Sequence, residues 1–191
     1  MLLNERKTLK QNWKIISTND SPKIIEYTPL EFHDQMKSLF PSDVEFSVQS
    51  GENIGSRMSY AFQKAFKSDI DQIILLGSDL ADLRKKDIDI AFEQLIENDV
   101  VIGPSTDGGY YLIGFNRNTF NKELFDKINW STDQVFYQTL NKIRESQLSL
   151  YILPERNDID TFDDIKLFLS ENKKSSEFRK ALTYIVFGDR K

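Results

Sequence analysis

Ile73-Ile74-Leu75-Leu76 is an unbroken aliphatic run that opens directly onto Gly77-Ser78-Asp79. Apolar residues without alternation describe a strand covered on both faces, as in sheets that carry helices above and below. Period-two and β-branched runs predict further strands at Lys23–Thr28, Val44–Val48, Val100–Ile102, Tyr110–Phe115 and Leu148–Leu153. Helical spacing recurs between them. Ile54, Met58, Ala61, Phe62, Ala65 and Phe66 form one apolar stripe, and the same logic places helices over residues 2–17, 30–40, 88–96, 132–144 and 162–169. Strands that alternate with helices define an α/β layered domain with a mostly parallel sheet, whose ligands bind beyond the carboxyl ends of the strands.

Composition narrows the class. The 191 residues contain no cysteine, which excludes disulfide frameworks, thiolate metal sites and a catalytic thiol, and fits a cytoplasmic protein. No apolar run is long enough to span a bilayer, and charge within the first five residues argues against a signal peptide. A net charge of -5 removes the general attraction that nucleic acid requires, while small anions remain possible partners beside a cation. A polar joint after Glu171 separates a domain over residues 1–171 from a tail over 172–191, where the spacing across Phe178–Phe187 predicts a docked helix.

Seven of the eight glycines lie between Gly51 and Gly114, beside the predicted strands, where close backbone approach to a ligand is one use for them. Asp79 follows the buried strand and is the best single candidate for a metal carboxylate; Mg²⁺ and Mn²⁺ favour such hard oxygen donors. Its competing role is to cap a turn. Asp158 and Asp160 follow another strand and could join Asp79 on one cation, although the segment 157–164 also has the composition of a helix cap. Gly103-Pro-Ser-Thr-Asp107-Gly108-Gly109-Tyr110 either brings backbone amides to an anion or a sugar, or forms an ordinary hairpin turn. Tyr110 is equally suited to packing. Gly51, Gly55 and Arg57 lead a strand into a helix, an arrangement suited to phosphate. Trp130-Ser131-Thr132 reads first as a helix cap, with substrate contact by Trp130 as the alternative. His33, the only histidine, lies on a predicted surface helix and gives little support to a histidine triad.

The combination of Gly-Glu-Asn-Ile-Gly-Ser-Arg-Met at 51–58, Leu-Leu-Gly-Ser-Asp at 75–79, Gly-Pro-Ser-Thr-Asp-Gly-Gly-Tyr-Tyr-Leu-Ile-Gly at 103–114, Trp-Ser-Thr at 130–132 and Asp-Ile-Asp-Thr-Phe-Asp-Asp at 158–164 resembles the DUF2064 group. These are GT-A-type glycosyltransferase-like proteins related to nucleotidyltransferases such as phospholactate guanylyltransferase and the molybdenum-cofactor enzymes. The resemblance covers about residues 1–170 and implies a Rossmann-like nucleotide-diphospho-sugar transferase fold. It implies that Asp79, Asp158 and Asp160 hold Mg²⁺ or Mn²⁺, and that Gly51, Gly55, Arg57 and Ser78 lie near the nucleotide. Gly108, Gly109, Tyr110, Trp130, Ser131 and Thr132 would border an acceptor pocket, with Asp107 the general-base candidate.

Two reactions are compatible with that scaffold: sugar transfer from a nucleotide sugar, or nucleotidyl transfer from a nucleoside triphosphate to a phosphorylated small molecule. The chain departs from the family pattern at its start. Members of the group open with a strand and a basic phosphate loop, and this sequence begins at the helix that follows them. An N-terminally truncated, catalytically impaired member is the rival expectation, with an unfilled slot in the middle of the sheet.

Overall fold

The computed structural model describes residues 12–18, 21–77, 80, 83–156 and the backbone of 184–189. Its strands are β1 (Lys23–Tyr27), β2 (Glu45–Val48), β3 (Gln72–Gly77), β4 (Val100–Pro104), β5 (Tyr110–Asn116), β6 (Leu150–Ile152) and β7 (Tyr184–Asp189). They form one sheet in the order β2-β1-β7-β3-β5-β4-β6. Pairing directions show that β1, β2, β3, β4 and β6 run one way, while β5 and β7 oppose them.

The helices are α1 (residues 12–16), α2 (His33–Lys37), α3 (Ile54–Ala65), α4 (Lys85–Gln94) and α5 (Val135–Glu145). Side chains of β3 alternate between two cores. Ile74 and Leu76 join Ile16 of α1, Met36 of α2 and Ile88 and Phe92 of α4 on one face. Ile73 and Leu75 join Met58 and Phe62 of α3 and Leu140 and Ile143 of α5 on the other. The aliphatic run is therefore buried on both sides, as its composition requires. Among the described residues no helix is long and apolar enough to cross a membrane.

The main departure from expectation is β7. Tyr184–Asp189 is a strand where helical spacing across Phe178–Phe187 predicts a helix, and it fills the position between β1 and β3 that was expected to stand open. It runs antiparallel to both neighbours, from Lys23↔Phe187 to Glu26↔Tyr184 on one side and from Gln72↔Asp189 to Gly77↔Tyr184 on the other. Two strands codirectional with each other thus obtain a shared partner from the far part of the chain. The predicted helix at 162–169 lies outside the described residues.

Candidate functional site

Because β1, β2, β3, β4 and β6 are codirectional, the segments leaving them emerge at one edge of the sheet. Gly51–Arg57 follows β2, Gly77 leads toward Ser78 and Asp79, and residues 105–109 follow β4. Gly51 is at φ 137°, and Asn53 caps α3 by accepting from the Ser56 amide at 2.9 Å while Ser56 Oγ accepts from the Asn53 amide at 3.1 Å. Arg57 Nε donates to the Gly51 carbonyl at 3.1 Å, which folds the loop back over the first turn of the helix. The amides of Ile54 and Gly55, the first two of α3, have no acceptor inside a helix.

Trp130 lies against this turn. A Cβ at Gly55 would overlap the Cε2, Cζ2 and Nε1 atoms of its indole, so only glycine lets the ring seat on the helix. Trp130 also stacks on Phe125, with ring centroids 6.4 Å apart. Sequence reasoning assigned Gly55 to nucleotide and Trp130 to acceptor; the fold brings the two into contact.

The stretch 103–110 is a hairpin turn between β4 and β5. Asp107 Oδ1 accepts from Ser105 Oγ at 2.6 Å and from the Gly109 amide at 2.8 Å, and the Gly108 amide donates to the Ser105 carbonyl at 3.1 Å. Both glycine amides are therefore spent inside the turn. Gly108, at φ 86°, packs against the Asp133 backbone where any Cβ would collide, and its carbonyl accepts from the Phe136 amide at 2.8 Å. The hairpin tip and the start of α5 are thereby fixed to each other.

Tyr110 faces inward. Its hydroxyl meets Met58 Sδ at 3.9 Å and the Thr139 side chain, and burial pushes it above the ordinary phenol range, opposed by the Thr139 hydrogen bond. Ser131 adopts φ 63°, and Thr132 Oγ1 accepts from the Gln134 amide at 3.3 Å. The expected helix cap at Trp130-Ser131-Thr132 is instead a turn ahead of α5, whose cap position is Gln134. His33 Nδ1 pairs with the hydroxyl of Tyr27, the last residue of β1.

Ser78, Asp79, Asp158 and Asp160 lie outside the described residues, but the backbone leading to them is described. Gly77 ends β3, while Arg156 forms a parallel bridge with Ser105 beyond the end of β4. The positions of β3 and β6 are three strand spacings apart, about 14 Å. An all-oxygen donor set such as Asp79, Asp158 and Asp160 would suit Mg²⁺ or Mn²⁺. Among the described residues no group of three acidic or histidine side chains could hold a metal ion.

Three side chains that sequence reasoning missed brace this region. Asn12 Nδ2 donates to the Leu80 carbonyl at 2.9 Å, which ties α1 to the residue after Asp79. Arg156 Nη2 pairs with Asp87 Oδ1 at 2.7 Å in a nearly buried ion pair. The partners are far apart in the chain, and no local signal announces either contact.

The fold is an α/β domain whose candidate ligand region is the edge at the carboxyl ends of its codirectional strands. The family profile of DUF2064, described as an uncharacterized protein conserved in bacteria, matches residues 12–132. The chain belongs to that family. Its structure is similar to the crystal structure of a "putative nucleotide-diphospho-sugar transferase" from Desulfovibrio desulfuricans G20, with 33% identity and a TM-score of 0.85 over 91% of this chain and 76% of that one. No curated protein matches the sequence.

Proposed function

We propose that the protein is a transferase that uses a nucleotide sugar as donor, a small molecule as acceptor, and Mg²⁺ or Mn²⁺. The observation that carries this reading is the meeting of Gly55 and Trp130, which joins the α3 amino end to the aromatic wall at the edge where both acidic segments emerge. The similarity to the Desulfovibrio protein supports it. A cation held by Asp79, Asp158 and Asp160 would neutralise charge on the departing diphosphate.

The chain's own groups supply the rest. The Ile54 and Gly55 amides and the Arg57 guanidinium receive phosphate oxygens, with Ser78 alongside. Trp130 offers a ring face to the sugar or acceptor, next to Ser131 and Thr132. Asp107 holds Oδ1 in the turn, while Oδ2 has no partner among the described residues and takes the proton of the acceptor hydroxyl. The acceptor oxygen forms the new bond to the anomeric carbon, the bond from that carbon to the diphosphate oxygen breaks, and nucleoside diphosphate departs.

The test is product analysis with Mn²⁺, a panel of nucleotide sugars and nucleoside triphosphates. Nucleoside diphosphate released from a sugar donor supports the proposal. Pyrophosphate released from a triphosphate replaces it with nucleotidyl transfer. Asp79→Asn should lower turnover at least about a hundredfold, the scale of losing one key electrostatic contact.

A further inference from the structure

Trp130 is carried by the connector that leaves β5 and enters α5, and α5 grips that connector at two places from one face. Gln138 Oε1 accepts from the Asn129 amide at 2.8 Å. One helical turn later, Lys142 Nζ donates to the Glu123 carbonyl at 3.2 Å. Residues four apart are neighbours on a helix surface, so the two side chains reach out side by side. Phe125 and Trp130 follow their two targets closely in the chain, and the rings stack on each other. The bond to Asn129 is the nearer one to the indole, a single residue ahead of it.

The turn around Trp130 needs support from outside. Lys127 and Ser131 flank it with φ 55° and 63°, left-handed backbone that is unfavourable for any residue with a Cβ. Bonds within the turn offset part of this: Thr132 Oγ1 donates to the Asn129 carbonyl at 2.7 Å, and the Trp130 amide donates to the Ile128 carbonyl at 3.0 Å. Asn129 therefore has its carbonyl held from the turn itself and its amide held from α5. The helix is a firm anchor, because Leu140 and Ile143 fix it in the core. On its far side the indole meets Gly55 at the amino end of α3, with no room for a Cβ between them.

We infer that Gln138 is a positioning residue for Trp130: its side-chain carbonyl holds the turn at Asn129 so that the indole stays seated on the amino end of α3. The consequence for the reaction rests on the proposed transferase, in which Trp130 faces the sugar or acceptor. A net hydrogen bond shifts an equilibrium about fivefold. Losing this one should raise KM for the sugar nucleotide by about that factor. The turnover number should change less, because a ring face that serves bound substrate and transition state alike acts on KM.

The experiment compares the full chain with Gln138→Leu, Gln138→Ala and Gln138→Glu by thermal melt, by heteronuclear NMR of the two indole N–H groups, and by kinetics with the sugar nucleotide that product analysis identifies. The Trp130 signal is assigned by its loss in Trp130→Phe. Gln138→Leu keeps a good helix former and removes the acceptor. It should displace or broaden the Trp130 signal, leave the Trp13 signal in place, and raise KM about fivefold. Gln138→Glu keeps an oxygen acceptor at the same reach and should return both readouts toward the parent. An unmoved Trp130 signal in a folded Gln138→Leu overturns this inference alone, and so does a displaced signal with KM within twofold of the parent. If Gln138→Leu does not melt cooperatively, Gln138→Ala is judged by the same two criteria. Turnover of no nucleotide sugar by the parent overturns the transferase reading and the role of Gln138 in it, even where the indole signal moves.

Discussion

Deleting residues 184–191 removes an interior strand and tests whether β7 is what closes the sheet. Four residue pairs join β7 to β1 and six join it to β3. An antiparallel ladder supplies about one hydrogen bond per pair on average. At about 1 kcal/mol net per bond, about 10 kcal/mol of backbone pairing is lost, before any packing is counted. A domain is stable by only about 5–15 kcal/mol. The truncated chain should therefore show no cooperative thermal transition by circular dichroism at a concentration where the full chain does. A synthetic peptide of residues 183–190, added in excess, should restore the transition. The reasoning fails if the truncated chain melts cooperatively within about 4 °C of the parent, because a shift that small corresponds to about 1–2 kcal/mol in a protein of this size.

Other perturbations probe the site and its surroundings. Gly55→Ala drives a methyl into the Trp130 indole and should cost about 1–3 kcal/mol in chemical denaturation, with a displaced ring in a crystal structure of the variant. An unshifted indole and an unchanged midpoint would show that the contact is slack. Asp160→Asn should weaken Mn²⁺ binding severalfold or more; if the residue is only a helix cap, the change is below about 1 kcal/mol in stability and leaves Mn²⁺ untouched. Glu26 is 2% exposed on β1, and its Oε2 has no hydrogen-bond partner among the described residues. Burial raises its pKa above 4.5, opposed by Ser47 and Lys64. Its contribution to stability is complete below that unfolded value and is lost as pH rises through the raised one. Glu26→Gln should accordingly melt above the parent near pH 8 and level with it near pH 4; a difference independent of pH would remove Glu26 as the cause.

Most of the sheet could be read from the sequence because its strands announce themselves by composition. The run at Ile73 and the alternation before Val48 are local signals, and burial of one or both faces enforces them. The same logic misled at the tail. The stretch from Thr183 to Phe187 is rich in β-branched and aromatic residues, a strand signal that competes with the apolar spacing from Phe178 onward. Pairing with β1 and β3 decides that competition, and pairing is not a local property. At the site, the hairpin turn at Gly108 and Gly109 is legible in the sequence, whereas the contact of Trp130 with Gly55 is not, because it joins residues distant in the chain. Arg156 and Asp87 were invisible because their ion pair joins residues distant in the chain, and because Asp87 looks like an ordinary first-turn acid on α4.

The two tryptophans sit in different layers. Trp13 meets Phe40 edge-on at 5.1 Å in the core shared by α1 and α2, whereas Trp130 stacks on Phe125 beside the α3 amino end. Replacing Trp13 with Phe would leave one indole in the molecule, located where the proposed ligand would arrive. Its emission would then be a built-in optical reporter. Nucleotide sugars could be ranked by the quenching or spectral shift they cause, without a labelled donor, a known acceptor or any turnover.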